Sequence, residues 1–194
     1  MANMELVKSI RNKTLLSLKD INKAIDELQT TDEDKIIAHL REQGALKMEK
    51  RQDRQTSYGA IFSYIHEGRI GVLLEVRSET DFVARSESFQ ELGKNLGLHI
   101  AASQPKFVKI EEMDQNFVAS EMEIARHLLE NEGKPANMIE KILEGKKSKL
   151  AEEVCLLEQS YIKNPDIKIK QLVMEVSQST GEKLEVTRFT IYSL

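Results

Sequence analysis

Cysteine is almost absent. Cys155 is the only one in 194 residues, which excludes an intrachain disulfide and a thiolate cage for zinc and fits a reducing compartment. Long apolar runs are missing too, and nothing approaches the roughly 18 consecutive apolar residues of a membrane-spanning helix. The N-terminus, Met1 to Glu5 followed by an amphipathic run carrying Lys8 and Arg11, is not a signal-peptide pattern. The expectation is a cytoplasmic protein with no membrane partner. Charge of one sign is also lacking: 28 Lys and Arg stand against 32 Asp and Glu, a formal −4, and the two signs are well mixed. Bulk attraction to a polyanion is therefore not expected.

The chemistry of an active site is missing as well. His39, His66, His99 and His127 are scattered, and none has a second ligand-type residue at metal spacing. Gly93-Lys94, Gly133-Lys134 and Gly145-Lys146 do not start phosphate loops, because the position five residues before each lysine's glycine holds Ser88, Leu128 or Glu140. Glu75, Glu79 and Asp81 are conceivable acid and base groups, but acid–base work needs two carboxyls held apart in environments that split their pKa values. Sequence proximity supplies neither. The expectation is a protein that is not an enzyme, with no catalytic residue, metal or cofactor and no direct nucleotide site.

What is present is a chain long enough for a real core, with 40% hydrophobic residues. Residues 1–46 read as a three-helix module. Ser17 with Asp20 and Thr31 with Asp34 resemble capping boxes, Ile21, Ile25 and Leu28 repeat at helical spacing, and Gly44 closes the segment. Residues 47–57 form a charged connector (Lys47, Glu49, Lys50, Arg51, Asp53, Arg54) that reads as a solvated helical linker, with a nucleic-acid contact as the alternative.

From residue 58 the period changes to two. Residues 59–65 and 70–76 are strands joined by His66-Glu67-Gly68-Arg69, a hairpin whose second strand points Ile70, Val72, Leu74 and Val76 to one face. Ser88 with Glu91 opens a helix that Pro105 must end, and Gly93, Gly97 and Ala101 make a small-residue ridge on it suited to close backbone approach. Lys106 to Ile110 reads as an edge strand, and Ser120 with Glu123 as the cap of a helix stopped by Gly133. The pattern from Met138 to Leu157 is one long helix or two with a bend at Gly145. A helix around Ile169 to Val176 ends at Gly181, and the strand from Lys183 to Tyr192 changes face near Arg188, where a bulge is expected. The fold class is α+β: a three-helix module, a connector, and a core over residues 58–194 with a small antiparallel sheet packed by helices.

One stretch joins the second strand to the next helix: Glu79-Thr80-Asp81-Phe82-Val83-Ala84-Arg85. On residue types alone Phe82 is a core aromatic and Asp81 a turn or cap residue. With Glu75 to Ser78 before it and Phe89 after it, however, the stretch closely resembles the signature of bacterial elongation factor Ts. Leu6-Val7-Lys8, Arg11, Thr14, Asp20 and Ala24 resemble that family's N-terminal motif. Glu132-Gly133-Lys134-Pro135, Ile139 to Gly145 and Leu157-Glu158-Gln159 resemble later ones.

The resemblance implies a ubiquitin-associated-like N-terminal module and a guanine nucleotide exchange factor that binds elongation factor Tu, both GDP-bound and nucleotide-free. Thr80, Asp81, Phe82 and Val83 would act at the partner's magnesium site, Phe82 as the wedge, while Lys8, Arg11 and Leu18 would grip the partner from the N-terminal module. It also implies a short form with one core half, pairing as a homodimer through a sheet edge or the small-residue helix face. The copy departs from the pattern at Leu15, Ser17, Lys19, Asn22 and Tyr58. Lys8 and Arg11 are also readable as a solvated helix face. A non-exchanging interaction module of the same fold is the alternative function, and a nucleic-acid binder using the connector is a third.

Overall fold

A computed structural model describes residues 4–14 and 16–194, with the backbone alone at 45 and 47–49. Met1 to Asn3, the departure at Leu15 and the side chains of Lys47 and Glu49 lie outside the described residues. The chain forms two compact units, residues 1–98 with 171–194, and residues 99–170.

The first unit begins with α1 (Met4–Thr14), α2 (Leu18–Leu28) and α3 (Glu33–Glu49). Val7, Ile10, Leu16, Ile21, Ala24, Ile25, Ile36, Ile37 and Leu40 form one buried apolar cluster. Ser17 caps α2 as expected, its hydroxyl accepting from the Asp20 N–H at 3.1 Å and donating to the Asp20 carboxylate at 2.6 Å. Asp32, not Thr31, supplies the cap at α3, accepting from the Lys35 N–H at 3.3 Å.

Gly44 does not end the segment. The helix runs through it to Glu49, and the glycine gives room to Gln178: a Cβ at position 44 would collide with the end of that side chain. An interior glycine costs a helix about 1 kcal/mol against alanine, and here its missing side chain admits a neighbour. The solvated helical linker is likewise confined to its first residues, since residues 51–54 are turns.

β1 (Tyr58–His66) and β2 (Ile70–Ser78) pair from Tyr58 opposite Ser78 to His66 opposite Ile70. Glu67 and Gly68 both take positive φ at the turn, which suits a tight hairpin. β5 (Leu184–Ser193) pairs antiparallel with the other side of β2, giving the order β1-β2-β5. Glu75 lies opposite Arg188 and Val76 opposite Val186, leaving Thr187 as the extra residue of a bulge. Its hydroxyl donates to the Glu75 carbonyl at 3.2 Å. That bulge is what moves Leu184 and Val186 on one side, and Phe189 and Ile191 on the other, onto the same face.

α4 (Asp81–Ala84) and α5 (Glu87–Ser103) follow β2, and α8 (Ile169–Thr180) precedes β5. The cap of α5 is Ser86, accepting from the Phe89 N–H at 3.3 Å, rather than Ser88. The ridge on α5 receives side chains from the sheet of its own chain: a Cβ at Gly93 would run into the Phe62 ring, and one at Gly97 would stand 3.1 Å from Tyr64 Cβ. Phe62 also meets Phe89, ring centroids 5.8 Å apart. Gly93 and Gly97 are therefore filled internally and are not free for a second copy. The opposite sheet face carries Ile61, Ile65, Leu73 and Tyr192, each at least half exposed.

In the second unit α6 (Gln115–Asn131) and α7 (Ala136–Val154) make a helical hairpin around Ala125, Leu129, Ile139 and Leu143. Asp114 caps α6, accepting from the Asn116 N–H at 2.8 Å. The start expected at Ser120 is displaced upstream because Phe117 packs against Phe107, centroids 6.0 Å apart. α7 is one helix through Gly145. Residues 106–110 are not an edge strand. Phe107 makes a single bridge to Cys155, Val108 N–H is satisfied at 3.1 Å by the Glu112 carboxylate, and Ile110–Glu112 is a 3-10 turn. Donors met by a side chain need no partner strand. A small hairpin of β3 (Ser160–Tyr161) and β4 (Asn164–Lys168) closes this unit.

His99 is fully buried there. Its Nδ1 accepts from the Ile162 N–H at 3.3 Å and its Nε2 lies 3.0 Å from Gln159 Oε1, so the neutral ring, protonated at Nε2, satisfies both partners. Burial pushes its pKa below the ordinary histidine value, outweighing the Gln159 bond that raises it. Neither this histidine nor any other belongs to a group of three or more potential metal ligands among the described residues. No described helix is long and apolar enough to cross a membrane.

Candidate functional site

The aliphatic alternation of β2 buries Val72, Leu74 and Val76 and ends at Ser78, itself fully buried. The Ser78 hydroxyl donates to the Thr80 carbonyl at 2.8 Å and so turns the chain out of the sheet. Thr80 is extended, at φ −129° and ψ 162°, and its hydroxyl accepts from the Val83 N–H at 3.4 Å as the cap of α4. Threonine suits this position because its side-chain oxygen replaces one of the partners that the first amides of a helix lack. Asp81 opens the turn at its positive end and pairs with Arg85 at 3.2 Å.

The far side of α4 is closed by Ser86, whose hydroxyl donates to the Val83 carbonyl at 2.8 Å, and by Gln90, which donates to the Ala84 carbonyl at 2.8 Å. Ala84 faces inward and is buried. Phe82, two positions before Ala84 and so about 200° around the turn, points outward, and it is 84% exposed. A large aromatic left in water, on a short helix with hydrogen bonds on both flanks, is the unusual feature of this molecule.

Two side chains distant in sequence hold the base of the loop. The Glu79 carboxylate accepts from the Lys183 N–H at 2.7 Å, from Arg51 at 3.0 and 3.2 Å, and from Arg54 at 2.8 Å. Burial pushes the Glu79 carboxyl up, but the Lys183 amide and the two guanidinium groups outweigh it and hold the pKa below the ordinary value. The Glu182 carboxylate accepts from the Thr80 N–H at 3.0 Å and from its hydroxyl at 2.7 Å.

Thr80, Asp81, Phe82 and Val83 are thus brought together in one turn, with Phe82 exposed and the other three half-buried. Lys8 and Arg11, three apart, share an exposed face of α1 away from buried Val7 and Ile10, and Leu18 at the start of α2 is 46% exposed. Sequence reasoning did not find Glu182, or the part played by Arg51 and Arg54. Thr80 and Glu182 are separated by 102 positions, so no local spacing links them, and the arginines read only as charges on a connector.

The three apolar-cored helices, the antiparallel sheet and a Thr-Asp-Phe-Val turn set between strand and helix make this an α+β protein with one exposed aromatic presented on a fixed turn. A family model described as "Elongation factor TS" matches residues 3–194. Proteins named "Elongation factor Ts" are similar over nearly all of the chain. The one from Alkaliphilus oremlandii is 41% identical over 97% of this chain and 87% of its own length. The Solidesulfovibrio magneticus protein is 44% identical over 97% and 94%, and the Thermotoga neapolitana protein 42% over 99% and 96%. The chain belongs to the elongation factor Ts family, a family of translation elongation factors.

Proposed function

We propose that this chain is the guanine nucleotide exchange factor for elongation factor Tu, and that it works by displacement without making or breaking a covalent bond. The observation that carries this reading is the 84% exposure of Phe82 on a hydrogen-bonded turn. Thr80 to Val83 approach the magnesium site of the partner and Phe82 wedges between side chains there. Magnesium ties the nucleotide phosphates to the partner, so disturbing its surroundings weakens GDP. A wedge is effective because packed side chains move between discrete arrangements and do not yield smoothly. By linkage GDP weakens the factor's grip as much as the factor weakens GDP's. Faster release also requires a transient complex containing both. Lys8, Arg11 and Leu18 hold the partner from the N-terminal module and set the encounter.

The working form is a homodimer, cytoplasmic, joined through the sheet. The exposed Ile61, Ile65, Leu73 and Tyr192 on its uncovered face support this, since a contiguous apolar patch is a frequent mark of association. A monomer mass in light scattering at working concentration contradicts the pairing. The exchange reading is tested with fluorescently labelled GDP on elongation factor Tu: substoichiometric amounts of the protein should accelerate release. Unchanged release with the cognate partner overturns exchange and leaves a non-exchanging interaction module.

A further inference from the structure

Backbone pairing between β2 and β5 stops at Ser78 opposite Leu184, yet the two chains continue to hold one another for two more residues. Glu79 reaches across to the Lys183 N–H at 2.7 Å, and Glu182 reaches back to the Thr80 N–H at 3.0 Å. Each chain offers a carboxylate to the other's amide. The ladder is thereby extended by side chains at the point where the strands must diverge, and charged acceptors make these bonds stronger than the neutral ones they replace.

The Thr80 hydroxyl has a single proton, and it is spent on Glu182 at 2.7 Å. The hydroxyl's lone pairs then face the Val83 N–H, 3.4 Å away. With its carbonyl held by Ser78 Oγ at 2.8 Å, Thr80 has its amide, hydroxyl and carbonyl each engaged. The same hydroxyl without Glu182 is free to rotate toward water, and the cap of α4 loosens.

We propose that Glu182 is the positioning residue of the exchange loop: a latch that orients the Thr80 hydroxyl, fixes α4 and so presents Phe82 in one direction, with Glu79 the reciprocal half of the device. This rests on the exchange reading above and adds a residue to it. Preorganisation is where the effect arises. A wedge that is already fixed spends none of its contact energy on being ordered at the moment it acts.

The test has one arm that needs no partner. The chain has no tryptophan, so Phe82→Trp creates a single reporter at the tip. Adding Glu182→Gln, which keeps size and puts a donor where an acceptor is required, should increase fast local motion in the time-resolved anisotropy of that tryptophan, with far-UV circular dichroism unchanged. In the second arm, on a Phe82 background, Glu182→Gln should lower the maximal rate of GDP release about tenfold, as expected for losing a charged hydrogen bond, with the half-saturating concentration of factor little changed. In the anisotropy arm Thr80→Ser, which keeps the hydroxyl, should leave the tip as ordered as Phe82→Trp alone does, and Thr80→Val should loosen it about as much as Glu182→Gln. If Glu182→Gln does not fold, Glu182→Asp, which keeps the charge and shortens its reach, serves in both arms. Unaltered tip motion overturns the latch, as does a loosened tip with full release rate. A change confined to half-saturation overturns it too, because that makes Glu182 a binding contact. Failure of the unmutated protein to release GDP overturns the exchange reading instead, and the anisotropy arm still decides the latch.

Discussion

Residues 79–83 and the exposed face of α1 both turn side chains into water, but the two are held by different means. The loop is fixed polar group by polar group: Thr80 through its amide, hydroxyl and carbonyl, Glu79 through an amide and two arginines. Lys8 and Arg11 stand on a helix whose order comes from Val7 and Ile10 beneath them, and among the described residues neither is fixed at its charged end by a hydrogen bond of that kind. The loop can deliver a directed contact, whereas the helix face delivers charge to a neighbourhood. On the exchange reading the first belongs to the rate of GDP release and the second to the encounter.

The largest expected effect separates those two roles. Phe82→Ala should cut the maximal rate of GDP release by about a hundredfold, the range seen when a central aromatic anchor is removed. Its melting temperature should match wild type, because an 84% exposed ring contributes little to the core. Lys8→Ala with Arg11→Ala should instead raise the half-saturating concentration about threefold to tenfold and steepen under low salt, as rim charges do. Stopped-flow titration of labelled GDP release reads both quantities. Equal loss of maximal rate in the two variants would erase the distinction.

Much of the architecture was readable because it rests on local rules. The hairpin at His66 to Arg69, the Ser17 cap, the end of α8 at Gly181 and the bulge beside Arg188 each follow from residues a few positions apart, and each stands in the structure. The exposure expected of Phe82 by family resemblance is also found, against its composition-based reading as a core residue. What was not readable depends on distant partners. Gly44 lies inside a helix and leaves space for Gln178, residues 106–110 are satisfied by Glu112, the Val154 carbonyl and the Leu156 and Leu157 amides rather than by a strand, and Gly93 admits Phe62 from the chain's own sheet. In the site the division is by distance: the cap of Val83 spans three residues, yet it is Thr80 and not Asp81, to which residue types gave the cap, and the Glu182 latch spans 102 positions that no local rule connects.

Acid should sharpen the comparison further. Glu79 has a pKa held below its ordinary value, so its bonds contribute fully above the unfolded carboxyl value of about 4.3. That contribution is lost as pH falls through the lower folded value, because the unfolded chain binds the proton first. The carboxylates lowered in the N-terminal module, Glu27, Asp32 and Glu33, are paired with side chains still partly open to water, where solvent and salt screen them. As pH falls below about 4.3 and through the lower folded value of Glu79, the Lys183 amide that it holds should lose hydrogen-exchange protection before the core amides of Ile21, Ile25 and Ile36. Loss in the reverse order would mean that the loop does not depend on its carboxylates.

The smallest effect is expected at Arg85, and it checks that the loop's order resides in its base. Arg85 pairs with Asp81 one helical turn away at 3.2 Å, but its side chain is 81% exposed. Pairs of that kind contribute about 0.5 kcal/mol or less. The Val83, Ser86 and Thr80 bonds that form the turn do not involve it. Arg85→Ala should therefore leave both unfolding and the motion of a tryptophan at position 82 unchanged, and keep GDP release within about twofold of wild type. A large loss of release with the tip still rigid would make Arg85 a direct contact with the partner. The loop would then act by charge as well as by wedge, and the contrast with the Lys8 and Arg11 face would narrow to one of position alone.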